Sequence, residues 1–196
     1  MDPAVKYWIE NADALRCTGL EYTRFVNGFF MDYWGMPHIS SNLWPYTWAI
    51  DVLNGKPAIP GSGEDILSLT YSVDVARFVV RSLDSENWPE YSIVVGDDVN
   101  FNQLLRLAEK VRGLKFDVSY DSVEKLRNGE ATLLSDSYGG GGGASNEEAK
   151  TIVSLFGLMT NAGHFHMPSE NRLNSKFPDL QPFTAEELLN KAWAGR

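Results

Sequence analysis

The stretch Asn27–Tyr33 is the strongest candidate for binding a ligand, because an amide and several aromatic side chains follow a predicted strand there. In parallel α/β folds, ligands bind at the carboxyl ends of strands, so this stretch would lie at a ligand-binding edge. A pocket entrance lined by aromatic side chains and one amide suits a flat organic ligand or a nicotinamide ring, and Asn27 is a candidate contact for such a ring. The alternative is that the aromatic side chains only pack a small C-terminal subdomain. The residues predicted to bind the substrate are Asn27, Gly28, Phe29, Phe30, Tyr33 and His38.

Other patterns in the chain do not favour a metal site or a nucleophile. His164 and His166 would face the same side of an extended segment, but no third ligand follows nearby, so we predict no metal. The turn Gly61–Gly63 precedes a predicted strand, whereas a phosphate-binding glycine turn follows a strand and opens a helix. Cys17 lies at a predicted helix C-terminus, which disfavours a thiolate. A G-x-S-x-G nucleophile elbow is absent from the sequence.

The composition is typical of a globular protein. The chain has 196 residues, of which 43% are hydrophobic and 22% are charged, which fits about one domain. The net charge of −9 argues against binding to nucleic acid or to an anionic membrane. Acidic residues interrupt the first twenty residues, and no long apolar stretch follows, so we expect neither a secretory signal nor a membrane span. The expected location is the cytoplasm, with the nucleus left open.

The elements that would position the candidate site alternate between helix and strand. A helix over Pro3–Leu15, with Asp2 as its N-cap, is followed by a strand over Leu20–Val26, which is half of a parallel α/β unit. A short helix is predicted over Tyr46–Leu53 and a glycine- and proline-rich loop over Lys56–Asp65. Later helices are marked by capping boxes, whose residue pairs are Asn100 with Gln103, Asp121 with Glu124, Ser145 with Glu148, and Thr184 with Glu187.

Several motifs resemble those of one known family. They are Thr18–Thr23, Asn27–Tyr33, Ala58–Gly61, Thr70–Phe78, Val94–Asp97, Tyr120–Leu126, Glu170–Asn174 and Lys191–Trp193. In these stretches the chain resembles the NmrA-like and isoflavone-reductase-like branch of the atypical short-chain dehydrogenases, and its fungal members in particular. The resemblance implies an α/β fold: the C-terminal part of a Rossmann-like NAD(P)-binding fold, with an incomplete parallel sheet and a small α+β substrate-binding subdomain. It also implies NADP or NAD as the cofactor.

The resemblance implies four segments along the chain. They are a remnant of the Rossmann half (1–34), a substrate-binding subdomain (35–134), a glycine-rich flexible linker (135–145) and a C-terminal helical segment (146–196). Without neighbouring strands before it, the strand over Leu20–Val26 would have an open edge, and such edges tend to pair with another chain. We therefore expect either self-association or a complementing protein chain at this edge.

Two departures from the family bear on activity. The glycine-rich dinucleotide turn has no counterpart in these residues, and Trp8 stands where the family has its active-site lysine. Lys6 is the nearest lysine and therefore the candidate for that role. We expect a protein related to NAD(P)-dependent oxidoreductases that binds a small aromatic ligand, while the missing turn argues against redox activity. The alternatives are a non-catalytic regulatory or partner-binding module, and a non-redox isomerase or cyclase that uses the same pocket.

Overall fold

A computed structural model describes residues 3–134 and 145–196. The helices are α1 (Pro3–Arg16), α2 (Asp32–Gly35), α3 (Ser72–Ser82), α4 (Phe101–Arg112), α5 (Val123–Arg127), α6 (Asn146–Asn161), α7 (Leu173–Lys176) and α8 (Ala185–Trp193). The strands are β1 (Arg24–Val26), β2 (Phe29–Phe30), β3 (Ile50–Asp51), β4 (Lys56–Pro60), β5 (Ile66–Thr70), β6 (Tyr91–Ile93), β7 (Asp97–Asn100) and β8 (Ser119–Asp121). Asp2, the predicted N-cap, and residues 135–144 of the predicted linker lie outside the described residues.

The strands of the described chain form three small sheets with mixed directions. β1 pairs with β6 in parallel. In the second sheet β5 lies between β2, its parallel neighbour, and β7, its antiparallel neighbour. In the third sheet β4 pairs with β3 in antiparallel and with β8 in parallel. Parallel pairs joined through helices confirm the predicted α/β class with an incomplete parallel sheet, while the predicted segment boundaries stay predictions.

The main hydrophobic core lies between the second and third sheets and helices α4 and α8. Leu67 and Leu69 of β5 and Leu104 of α4 are almost fully buried in it, and Trp193 of α8 closes one side. A second, smaller cluster lies under the β1–β6 sheet, where Phe78 of α3 is buried with three other apolar side chains. The two clusters show that most of the apolar burial supports the part of the chain after β1.

Two sequence predictions of local structure were wrong. The helix expected over Tyr46–Leu53 is extended chain leading into β3, because Trp48 is buried in the core and the Ala49 carbonyl accepts a hydrogen bond from Ala58 N at 2.9 Å. The loop expected over Lys56–Asp65 begins instead as β4, whose four residues after Lys56 are buried. In both places tertiary packing overrides local propensity, and the proline and glycine residues mark only the turns.

Three of the four predicted capping boxes are present around α4, α6 and α8. The box predicted for Asp121 with Glu124 was wrong. Ser122 caps α5 by accepting from Lys125 N, while the buried carboxylate of Asp121 accepts from Lys125 Nζ at 2.6 Å and from Thr132 N at 2.7 Å. A buried carboxylate needs several donors, and the loop after α5 supplies more of them than the helix start does.

The strand predicted over Leu20–Val26 is shorter than expected and begins only at Arg24. Leu20 is 69% exposed and Ile9 of α1 is 46% exposed, so their apolar side chains have little cover within the described residues. Instead, Arg16 of α1 reaches Glu90 at 2.6 Å, and Arg24 reaches the same carboxylate at 2.9 Å. Among the described side chains, an ion pair between Arg16 and Glu90 therefore links α1 to the chain that leads into β6.

Candidate functional site

An open cleft of about 640 Å³ lies beside β2, between the chain after α2 and helix α6. None of the described residues that line it carries a formal charge, and the aromatic rings dominate its walls. Such a cleft can hold an uncharged ligand by apolar contact, with few polar groups to fix its orientation. The lining residues are Gly28, Phe29, Phe30, Tyr33, Asn42, Leu43, Trp44, Pro45, Tyr46, Ile152, Phe156 and Phe165.

Phe29 is the centre of the aromatic wall. Its ring centroid lies 4.8 Å from that of Trp48, 5.4 Å from that of Phe165 and 5.8 Å from that of Phe156. The contacts with Phe156 and Phe165 are edge-to-face, which is the favoured geometry for aromatic pairs. Rings from separate stretches of the chain therefore pack against one another, and the wall is formed without a ligand.

The backbone reaches the cleft through a tight turn after β1. Gly28 has φ +65°, and a Cβ built there would lie 2.2 Å from the carbonyl oxygen of Ser68, so only glycine fits without a shift. The hydroxyl of Thr70 donates to Asn27 O at 2.8 Å, and Met31 N donates to Thr70 O at 3.0 Å. β5 thus fixes the turn on both sides and directs Phe29 and Phe30 toward the cleft.

The opposite wall is a loop after α6 that β5 also holds. Ser68 N donates to Phe165 O at 2.8 Å, and Met167 N donates to the buried Ser68 Oγ at 2.9 Å. The same hydroxyl donates to Asp98 at 2.5 Å, and Arg172 bonds both Asp98 and Met167 O. This network of charged and neutral hydrogen bonds positions Phe165 against Phe29.

Helix α2 places Tyr33 at the rim, and the buried carboxylate of Asp32 fixes the helix. Asp32 is fully buried and accepts from Ser41 Oγ at 2.7 Å, from Ser72 N at 2.9 Å and from Ser72 Oγ at 2.5 Å. Burial, and secondly the nearby Asp32 carboxylate, raise the pKa of Tyr33 above its usual value. Tyr33 is therefore a neutral phenol at physiological pH.

The structure brings together four of the six residues predicted to bind the substrate: Gly28, Phe29, Phe30 and Tyr33. Asn27 is next to the cleft but does not line it, and its amide nitrogen is buried without a hydrogen-bond partner among the described residues. His38 lies against Trp193, with ring centroids 4.7 Å apart, and lines none of the described cavities.

Lys6, the candidate for the family's active-site lysine, is an exposed residue of α1. Its Nζ atom lies 3.7 Å from Glu10 Oε1. It does not line the cleft. The role proposed for it by the resemblance stays a prediction.

Sequence reasoning missed the cleft residues that come from distant parts of the chain. Ile152 and Phe156 lie four residues apart on α6 and so share one face of that helix, which was a usable signal. Phe165 lies between two histidines in the sequence, and no local sequence pattern indicates that its ring contacts Phe29.

The glycine turn after β4 and the N-termini of α3 and α4 do not fit the phosphates of a dinucleotide. The turn Gly61–Gly63 leads into β5, and its space is filled: a Cβ at Gly63 would lie 2.6 Å from Asn102, and one at Gly61 would lie 2.3 Å from Asn161. Acidic side chains follow the turn directly, which would repel phosphate. The N-termini of α3 and α4 are closed by Asp32 and by the Asn100 capping box.

The described ranges 3–134 and 145–196 contain no group of three or more His, Cys, Asp or Glu side chains placed to hold a metal ion. Within the same ranges, no helix has the length and the apolar character needed to cross a membrane.

The fold and the cleft together define a class: a reductase-type NAD(P)-binding fold, of which this chain carries the part with the apolar cleft. The solved structure of an isoflavone reductase has this fold, with a TM-score of 0.68 at 16% identity, covering 97% of this chain and 60% of that one. AtPrR2, solved with NADP+ and (+)pinoresinol, gives a TM-score of 0.68 at 15% identity, and the match covers 97% of this chain and 58% of AtPrR2.

Among the curated relatives, the oxidoreductase swnN of Metarhizium robertsii is 29% identical over 187 residues. The match covers 93% of this chain and 54% of the relative, so the chain spans about half of that relative's length. No family model matches the chain. The fungal oxidoreductases and the shared fold confirm the resemblance to the NmrA-like and isoflavone-reductase-like proteins.

Proposed function

We propose that this chain is the ligand-binding part of a reductase-like protein and that its cleft binds a small, uncharged aromatic molecule. The observation that carries the proposal is the wall of converging rings around Phe29, with no formal charge on any described lining residue. AtPrR2, which has the same fold, was solved with NADP+ and (+)pinoresinol, an observation that supports a ligand of this kind.

We further propose that hydride transfer is not a property of the described residues by themselves. The relatives suggest a nicotinamide cofactor, since a leucoanthocyanidin reductase with this fold was solved as its NADPH complex. Against this, amide side chains of Asn102 and Asn161 stand beside the turn Gly61–Gly63, and the N–H groups of Gly61 and Gly63 already donate to backbone carbonyls. A cradle for the cofactor would therefore have to come from residues other than those described.

Calorimetric titration of the purified chain tests both parts. We expect 2-naphthol and (+)-pinoresinol to bind, and NADPH and NADH to bind no more tightly than millimolar. Trp44 lines the cleft and is 73% exposed, so Trp44→Ala should leave the fold intact but weaken binding of the aromatic probes about fivefold, through loss of one ring contact. Leu83→Ala, which removes an exposed apolar side chain outside the cleft, is the matched control.

Either of two results would contradict the proposal. Absence of binding by any neutral aromatic probe would remove the ligand-binding function. Micromolar binding of NADPH would show that the chain holds the cofactor without the expected cradle, and would restore a dehydrogenase function.

A second function, association with another protein chain, is favoured by the edge at β1. Within the described residues β1 pairs only with β6, and Leu20 beside it is 69% exposed. We propose that this edge pairs with a second copy or with a complementing chain. Light scattering over a range of concentrations should give a mass above that of the monomer, and Leu20→Lys should reduce it, whereas Leu114→Lys, at another exposed apolar position, should not.

A further inference from the structure

A second cavity, of about 470 Å³, lies behind the rim of the cleft. Tyr33, Pro45 and Tyr46 line both spaces, so the two cavities share one wall. The other side of the second cavity is formed by β3 with the turn after it, and by Trp193 of α8.

The two cavities differ in chemistry. The cleft has no charged lining residue among those described, whereas Thr47, Asp51 and Asn54 bring a hydroxyl, a carboxylate and an amide into the lining of the second cavity. Asp51 is only 7% exposed, so its carboxylate is held away from bulk water. The second cavity is thus suited to a polar group and the cleft to an apolar one.

The Asp51 carboxylate has unused capacity to accept hydrogen bonds. One oxygen accepts from Asn54 N at 3.0 Å and the other from Asn54 Nδ2 at 2.7 Å. A carboxylate has about four lone-pair positions, so each oxygen can accept one further bond. A ligand hydroxyl would supply such a donor, while a carboxylate or phosphate would be repelled by the charge of Asp51.

The shared wall is thin. The rings of Tyr33 and Tyr46 meet nearly edge-to-face, with centroids 5.8 Å apart and planes at 72°. Both side chains are only partly buried, and each ring borders both cavities. One layer of side chains therefore separates the cleft from the cavity that Asp51 lines.

We propose that the second cavity takes the hydroxyl-bearing end of the same neutral ligand whose aromatic end occupies the cleft. This inference rests on the proposed function. It makes the preferred ligand an elongated molecule with an aromatic ring system at one end and an alcohol at the other. Asp51 then sets the specificity for the alcohol.

Calorimetry with a matched series of probes tests the inference. The hydroxyethyl, hydroxybutyl and hydroxyhexyl ethers of 2-naphthol are compared with the ethyl, butyl and hexyl ethers, which lack the hydroxyl. We expect one length of the alkyl ether at which the hydroxyl tightens binding about tenfold, because the hydroxyl then donates a hydrogen bond to the charged Asp51 carboxylate. In Asp51→Asn that advantage should fall to about twofold, while Asp84→Asn, an exposed carboxylate outside both cavities, should keep it.

The outcomes separate this inference from the proposed function. If 2-naphthol binds the wild type but the hydroxyl tightens binding at no length of the alkyl ether, the inference is wrong, while the proposed aromatic site is unaffected. The wild-type comparison decides this even if Asp51→Asn fails to fold. An advantage that persists unchanged in folded Asp51→Asn would also overturn the inference. If 2-naphthol itself does not bind, the proposed function fails and the inference fails with it.

Discussion

Replacing Gly28 by alanine tests whether the close approach of two strands shapes the cleft. Gly28 and Gly113 both adopt left-handed backbone conformations, with φ of +65° and +66°. A Cβ on Gly28 would lie 2.2 Å from Ser68 O and 2.9 Å from Ser68 C, whereas a Cβ on Gly113 would meet nothing within 4 Å. The same substitution at the two positions therefore separates backbone strain from crowding.

The expected magnitudes follow from these two effects. Alanine in a left-handed conformation costs about 1 kcal/mol, and Gly113→Ala should lower the free energy of unfolding by about that amount. At Gly28 the backbone of β5 or of the turn must also move, which adds about 1–3 kcal/mol as in other overpacked sites. Gly28→Ala should therefore lose about 2–4 kcal/mol. The same shift acts on Ser68, whose N–H bonds Phe165 O, so binding of 2-naphthol should also weaken.

Urea denaturation followed by fluorescence measures the free energies of unfolding, and calorimetry measures the affinity for 2-naphthol. The two variants should show similar slopes in urea if both unfold from the same native state. Equal losses of stability in Gly28→Ala and Gly113→Ala would refute the reasoning, because crowding would then have no measurable cost. Unchanged affinity in a destabilised Gly28→Ala would refute the link between this turn and the opposite wall.

Three further outcomes are expected. Ser68→Ala should lower the free energy of unfolding by about 2–3 kcal/mol in a denaturant titration and weaken the binding of aromatic ligands, because the Ser68 hydroxyl donates to the Asp98 carboxylate and accepts from Met167 N. The control is Ser82→Ala: this buried hydroxyl bonds only a carbonyl of its own helix, so the loss should be under about 1 kcal/mol. The hydrogen bond from Arg16 holds the pKa of Glu90 below its usual 4.5, so the stabilisation is present above that pH and is lost as the pH falls through the lower pKa. The protection of the α1 amides, taken relative to the intrinsic exchange rate at each pH, should therefore fall there in the wild type, and in Glu90→Gln it should already be low at neutral pH. Partial burial, and secondly nearby arginines, lower the pKa of His38 below 6.5, so the folded state resists protonation. The free energy of unfolding should therefore fall as the pH drops below about 6.5. In urea titrations at several pH values, His38→Asn should reduce this dependence of stability on pH.

The fold class and part of the cleft could be predicted from the sequence because their signals are local. Phe29, Phe30 and Tyr33 follow a strand that ends in Asn-Gly, and this pattern placed them at a binding edge. The capping box at Thr184 likewise located the start of α8. Such patterns depend on residues within one turn of each other, so a single sequence carries them in full.

The opposite wall and the second cavity could not be predicted, because they depend on contacts between distant residues. Phe165 joins the cleft through its hydrogen bond with Ser68 and its ring contact with Phe29, and Asp51 lines a cavity because the chain around Trp48 is extended rather than helical. The helix predicted over Tyr46–Leu53 had adequate propensity. What decided against it was burial of Trp48 among other rings, which no local pattern reports.

The cleft and the β1 edge depend on different parts of the hydrophobic core, and this allows them to act independently. Phe29 and Phe165 pack against the main buried cluster, which includes Trp48 and Phe101. Among its described side chains, α1 buries only Ala12, and the Arg16–Glu90 ion pair links it to the chain before β6. Because apolar burial supplies most of the stability, the α1–β1 edge should open at a lower free energy than the cleft does. A partner chain could therefore pair with the edge while the cleft keeps the shape that a ligand needs.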